Sequence, residues 1–104
     1  MDYCCKQSLY QFFKYIESVD VSKELGKQID LLHEKFECCD FDLYQYDQNN
    51  KIENKIRTIV DFYYDNIELV INYFSKDKAI RFICLLKKLI FDNWEEIERF
   101  LKEE

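Results

Sequence analysis

The 104-residue chain contains no proline and a single glycine, Gly26. Tight β-hairpin turns rely on these two residue types, so their near absence argues against most all-β architectures. Hydrophobic residues make up 48% of the chain and aromatic residues 17%, more than a disordered acidic segment carries. The length suits one domain with a core of its own. The sequence therefore predicts a single all-α domain over residues 1–104.

Basic residues are also scarce relative to acidic ones: 15 Lys and Arg face 21 Asp and Glu, for a net charge of −6. Residues 1–50 hold ten acids and five bases, so most of the excess lies in the first half. This balance disfavours nucleic acid or an anionic membrane as a partner. It suits a basic protein partner, although an ordinary acidic cytosolic domain has the same balance.

The first residues lack the pattern of a secretory signal, and no segment approaches the ~18 uncharged apolar residues of a membrane span. We therefore expect a cytoplasmic protein. Its five cysteines are an odd number, and the two adjacent pairs lack the spacing of a zinc site. The sequence thus predicts reduced thiols, no disulfide, no metal and no cofactor. The cysteines are Cys4, Cys5, Cys38, Cys39 and Cys84.

Apolar residues recur every three or four positions in four stretches, which is typical of amphipathic helices. Both Asp65-Asn66 and Asp92-Asn93 could interrupt a helix, but the apolar stripe continues through each, so we expect continuity. The prediction is a small bundle of about four helices with a long C-terminal helical hairpin. The expected helices cover residues 2–18, a stretch from Asp20 or Ser22 to about Cys38, residues 51–74 and residues 78–102.

The third of these helices has a narrow apolar stripe, apolar flanks and one thin acidic strip opposite. Its stripe includes Tyr63 and predicts burial on three sides, with flanks such as Leu69 and Tyr73 covered by neighbours. Tyr64 falls outside that stripe, next to a thin acidic strip that faces water. The wide apolar arcs of both long helices leave a homodimer, in contact through Phe82 and Leu89, as an alternative to a monomer.

The longest predicted connection, residues 37–50, holds four acids and no base, together with three aromatic residues. Long connections in compact domains are often functional, and the alternative is a solvated loop whose aromatics fold back on the core. Aromatic side chains supply much of the energy at protein interfaces, while carboxylates steer a basic partner. This loop and the acidic strip are therefore the candidate partner-binding surface. Its residues are Glu37, Asp40, Asp42, Tyr44, Tyr46, Asp47, Asp61, Tyr64, Asp65 and Glu68.

Candidate catalytic and metal sites fail on their residue types. The stretch that begins at Asp40 starts like a calcium loop, but Gln45 and Lys51 replace the required Gly and Glu. His33 is the only histidine and has no evident acid–base partner in the sequence, so a structural, partly buried role is expected. No Gly-rich stretch could hold phosphate. The sequence predicts no enzyme and no catalytic residue.

The run Asp61-Phe62-Tyr63-Tyr64-Asp65 resembles the binding helix of bacterial toxin-immunity proteins, of the colicin or contact-dependent inhibition type. Immunity proteins against DNase colicins use a Tyr-Tyr pair among acidic helix residues to bind a basic nuclease. The resemblance implies a stoichiometric inhibitor in the cytosol that masks the active surface of a toxin.

Two other functions remain open from the sequence. A phage or viral inhibitor of host defence, such as an anti-CRISPR protein, would also be small and acidic, although −6 is a modest charge for a nucleic-acid mimic. A helical protein-interaction adaptor would show the same composition. A Bcl-2-like bundle is disfavoured because Glu95 follows Trp94 where that family's motif has Gly.

Overall fold

The structure is a computed structural model that describes residues 2–39 and 49–102. Within those ranges it holds α-helices and connecting turns but no strand, which confirms the all-α prediction. Five helices are present in the described residues, one more than expected. They are α1 (Asp2–Ser18), α2 (Leu25–Glu37), α3 (Lys51–Asn72), α4 (Lys76–Phe91) and α5 (Trp94–Lys102).

The turn between α1 and α2 is held by polar side chains. The Asp20 carboxylate accepts hydrogen bonds from the backbone N–H and the hydroxyl of Ser22, and these bonds lower the pKa of Asp20. Gln28 bonds back to the Asp20 backbone at both its N–H and its carbonyl. The prediction that Asp20 or Ser22 caps the helix is wrong, because α2 begins at Leu25 with Glu24 at the N-cap and no side-chain cap bond.

The hairpin of α3 and α4 has a capped start and a short turn. Asn50 is the N-cap of α3, and its side chain accepts a hydrogen bond from the Ile52 N–H at 3.0 Å. Such a bond satisfies one of the free N–H groups of the first turn. The helix ends at Asn72, two residues before the predicted end, and α4 begins at Lys76 rather than at Lys78.

The expected last helix is interrupted at Asp92-Asn93, so the prediction of continuity is wrong there, while Asp65-Asn66 stays helical within α3. Ile90 and Ile97 on either side of the break are both fully buried, so the apolar stripe continues although the helix does not. The break lets α5 lie against α1. The Tyr10 and Trp94 rings stack there with centroids 5.8 Å apart.

One cluster of buried residues joins all five helices. Tyr63 lies at its centre, fully buried, with its ring centroid 4.5 Å from Phe36, 5.2 Å from Phe12 and 6.1 Å from Phe82. The expected burial of the main α3 stripe is confirmed from Ile56 to Val70, but Phe74, which the apolar period also places on that stripe, lies beyond the end of α3 and is 47% exposed. The prediction that neighbours cover Leu69 and Tyr73 is wrong, because these residues are 60% and 71% exposed.

Candidate protein-binding surface

Tyr63 faces the core from α3 and Tyr64 faces water, as predicted. Tyr63 is fully buried, whereas Tyr64 is 59% exposed. Successive residues of a helix are about 100° apart, so a side chain next to a core position can face water. Asp61, Asp65 and Glu68 are exposed on the same helix. The acidic strip therefore flanks an exposed aromatic ring.

The C-terminal end of α2 lies beside this strip. The Phe36 ring contacts Tyr64 edge to face, at a centroid distance of 4.9 Å, and also packs on buried Tyr63. The exposed carboxylate of Glu37 follows Phe36 directly. The fold thus places the end of α2 next to the acidic strip of α3. We call this set the acidic tyrosine surface: Glu37, Asp61, Tyr64, Asp65 and Glu68.

A short polar chain lies behind this surface. The Tyr63 hydroxyl is 3.2 Å from His33 Nδ1, and His33 Nε2 is 2.9 Å from Glu37 Oε1. A carboxylate only accepts, so Nε2–H of His33 donates to Glu37, and Nδ1 makes the hydrogen bond with the Tyr63 hydroxyl. Burial, followed by the nearby charge of Glu37, raises the pKa of Tyr63 well above its ordinary value. The hydroxyl therefore keeps its proton at neutral pH.

This arrangement corrects the expectation that His33 has no partner. Glu37 lies four residues further along α2, a spacing that the sequence offered, whereas Tyr63 is thirty residues away and only the packing of α2 on α3 reveals it. In this geometry His33 links the buried Tyr63 hydroxyl to the exposed Glu37 carboxylate. The Tyr63 hydroxyl at the end of the chain lies in the core, where no substrate reaches it.

The local charge around Tyr64 is uniformly negative along α3. From Thr58 to Ser75 the sequence contains three acids and no Lys or Arg. Exposed carboxylates in such a row create a potential that attracts a basic surface and repels a nucleic-acid backbone. A basic partner that approaches this side of the hairpin therefore meets negative charge first and the Tyr64 ring second.

Half of the predicted binding residues lie outside the described ranges, so their contribution stays a prediction. They are Asp40, Asp42, Tyr44, Tyr46 and Asp47.

A groove between α1 and α2, with a volume of about 570 Å³, was not foreseen from the sequence. Phe12 and Tyr15 line it from α1, and Cys38 and Cys39 line it from the end of α2. Lys35 sits over the Tyr15 ring, 5.1 Å from the centroid. The described residues contain no cluster of three or more His, Cys, Asp or Glu side chains that could hold a metal ion.

Across residues 2–39 and 49–102, no helix is long and apolar enough to cross a membrane. No protein-family model, curated protein or solved structure matches this chain. Its function therefore has to be inferred from the geometry of the acidic tyrosine surface.

Proposed function

We propose that this protein binds and neutralises a basic protein partner in the cytoplasm, in the way that an immunity protein neutralises its cognate toxin. The observation that supports this is the placement of Tyr64, 59% exposed among the carboxylates of Asp61, Asp65 and Glu68. Aromatic side chains dominate the binding energy of protein interfaces, and carboxylates at the rim set orientation and association rate. The proposal includes no catalysis, cofactor, metal, nucleic-acid or membrane binding.

The support beneath Tyr64 favours tight binding. Its ring contacts Phe36 and Tyr63, and Tyr63 is fixed by burial. A ring that is already held by its neighbours loses less conformational entropy on binding than a free one. Tyr64 is therefore the expected anchor, and the carboxylates around it are the expected source of specificity.

A nuclease toxin is the partner class that suits this surface best. Enzymes that act on nucleic acid carry basic residues to hold phosphates, and these residues are complementary to the row of acids on α3. An inhibitor that covers such residues blocks access of the substrate. Binding in a one-to-one complex is sufficient for this, and the inhibitor needs no chemistry of its own.

The proposal is tested on the protein encoded by the neighbouring gene, by measuring its association and dissociation rates with this chain. Tyr64→Ala should weaken binding by on the order of 1–3 kcal/mol, mostly through faster dissociation, and should leave the melting temperature unchanged. Asp61→Lys should slow association instead. That loss should shrink as salt rises, because exposed charges act through a screened field.

Tyr73→Ala is the matched control. Tyr73 is 71% exposed and follows the same helix, but it lies on the opposite side of α3 from Tyr64, so its variant should bind the toxin as the wild type does. If Tyr64→Ala and Asp61→Lys also bind like the wild type, the acidic tyrosine surface is not the interface. If the neighbouring gene encodes no toxin and no basic protein binds, the proposed function is wrong.

A further inference from the structure

A second surface of the hairpin, distinct from Tyr64, is apolar and uncovered. A groove of about 330 Å³ runs between α3 and α4, with Leu69 and Tyr73 on one side and Leu85 on the other. These three side chains are 60%, 71% and 43% exposed. Phe62 and Phe82 stack between the two helices with centroids 5.8 Å apart. Phe82 itself is only 4% exposed, so the earlier expectation that it forms a contact between copies is wrong.

Charges of opposite sign lie on the two sides of this groove. Helical spacing places exposed Asp65 on the outer edge of α3, next to Leu69. The same spacing places exposed Arg81 on the outer edge of α4, beside Leu85, and Lys78 lines the groove from that side. Across the surface the order is therefore acidic, apolar, basic. We call it the hairpin face: Asp65, Leu69, Tyr73, Lys78, Arg81 and Leu85.

This order of charges determines which occupant fits. A uniformly basic partner would meet Lys78 and Arg81, and a uniformly acidic one would meet Asp65. A molecule that binds the hairpin face must therefore place acidic groups against α4 and basic groups against α3. A second copy of the chain has that arrangement when it is turned about a two-fold axis parallel to the hairpin, because α3 of each copy then lies over α4 of the other.

Asp65 and Arg81 lie at similar distances from the closed end of the hairpin, as this two-fold axis requires. Asp65 lies seven residues before the end of α3, and Arg81 lies five residues after the start of α4. At 1.5 Å per residue they are about 10 Å and 8 Å from the closed end of the hairpin. A two-fold axis parallel to the helices preserves this level, so Asp65 of one copy meets Arg81 of the other, twice in the dimer.

We propose that this chain forms a two-fold symmetric homodimer through the hairpin face, with Leu69, Tyr73 and Leu85 at the centre of the interface and reciprocal Asp65–Arg81 pairs at its edges. Tyr64 projects from the other side of α3, against Phe36, and stays open in the dimer. Asp65 is the one residue that the hairpin face shares with the acidic tyrosine surface. The dimer is argued from the hairpin face and needs no other protein, so it does not depend on the proposed function.

Sedimentation equilibrium of the purified protein alone tests this, without any toxin. The wild type should be a dimer. Asp65→Arg and Arg81→Asp should each raise the dimer dissociation constant by about tenfold or more, because like charges then face each other across the axis. The double variant Asp65→Arg with Arg81→Asp should restore the dimer, since the pairs are re-formed with opposite polarity. A variant that had merely lost its fold would not be rescued in this way.

Leu69→Asp should abolish the dimer, and Leu31→Asp is its control. Leu31 is an exposed leucine on α2, at 47%, away from the hairpin face, so its variant should dimerise like the wild type. A wild-type protein that stays monomeric at about 1 mM overturns the proposal and leaves the groove to a different molecule. A dimer that tolerates both charge reversals, or one that the double variant fails to restore, overturns it as well.

Discussion

Tyr63 and Tyr64 are neighbours in sequence with opposite roles. The Tyr63 ring fills the centre of the core, and its hydroxyl is satisfied by His33, since a buried hydroxyl without a partner is costly. The Tyr64 ring rests on Phe36 at the surface, with its remaining area open to water. Their difference arises from the angle between successive helical residues, so one residue maintains the fold while the next is free to bind.

The buried hydroxyl of Tyr63 predicts a specific alkaline instability. The folded-state pKa of Tyr63 lies above the ordinary value of 10.0, mainly because burial disfavours the charged form. Its contribution to the free energy of unfolding is therefore complete below pH 10 and is lost as the pH rises through the folded-state pKa. Tyr63→Phe should lower the free energy of unfolding by about 1 kcal/mol at neutral pH, because the hydrogen bond to His33 is lost. The free energy of unfolding of this variant should also fall less steeply than that of the wild type as the pH rises.

Urea denaturation of both proteins at a series of pH values from neutral to above 10 measures this effect. The difference in stability between the wild type and Tyr63→Phe should shrink as the pH rises. Tyr64→Phe, which removes a hydroxyl from an exposed ring, is the control and should keep the stability of the wild type at neutral pH. Parallel pH curves for the wild type and Tyr63→Phe would contradict the burial of this hydroxyl.

Helix α5 shows how a short element is held by its neighbours. It has nine residues, fewer than an isolated helix needs in water, so its stability comes from packing. Ile97 and Leu101 anchor it in the core. On α1, the Tyr10 ring stacks on Trp94 and its hydroxyl donates a 2.9 Å hydrogen bond to the Glu98 carboxylate. These contacts, rather than local propensity, set the direction of α5 after Asp92-Asn93.

The bond from Tyr10 predicts the titration of Glu98. The Tyr10 hydroxyl lowers the pKa of Glu98 below its ordinary value of 4.5, with a smaller effect from Lys102. A depressed carboxyl pKa stabilises the fold above pH 4.5, and that contribution is lost as the pH falls through the folded-state pKa. Tyr10→Phe should therefore raise the pKa of Glu98 towards 4.5, as measured by NMR titration of its side-chain carboxyl.

Tyr15→Phe is the matched control on the same helix. Tyr15 is partly buried, and its backbone carbonyl, not its hydroxyl, accepts a bond from Ser18. Removing the Tyr15 hydroxyl should leave the Glu98 titration unchanged. An unchanged Glu98 pKa in Tyr10→Phe would mean that α5 does not lie on α1 as described.

Taken as one molecule, the protein places two different surfaces on the same hairpin. The acidic tyrosine surface lies where α2 meets α3, and the hairpin face lies where α3 meets α4. On the water-exposed side of α3 the two surfaces meet at Asp65, with Tyr64 on one side of it and Leu69 on the other. The two variants should therefore have separate effects. Tyr64→Ala should weaken binding of the partner but not self-association, and Leu69→Asp should abolish self-association.

The stability of this bundle should come from its apolar core alone. Cys38 and Cys84 carry free thiols, and the core cluster spans all five helices. We therefore expect a circular dichroism spectrum dominated by helix that is unchanged by EDTA or by a reducing agent. Urea, which solvates apolar and peptide groups, should unfold the protein and serves as the positive control. A loss of helix on chelation, or a large strand signal, would contradict this expectation.

The pattern of residues along the chain was enough to predict the helical class and most of the buried stripe of each helix. Without proline and with one glycine, the chain lacks the usual residues for tight turns, and its apolar period is local information that each helix carries alone. That is why the burial of Tyr63 and the exposure of Tyr64 could be predicted. Both depend only on position along one helix, not on where the other helices lie.

The break before α5, the exposed flank of α3 and the contact of His33 could not be predicted, because each depends on how separate helices pack. A stripe that contains Ile90 and Ile97 looks the same for one helix as for two, so the break between them was decided by the packing of α5 on α1. Leu69 and Tyr73 are as apolar as covered flank residues, and the course of α4 leaves them exposed. The contact of His33 with Tyr63 joins residues thirty positions apart, a distance over which helical periodicity carries no information.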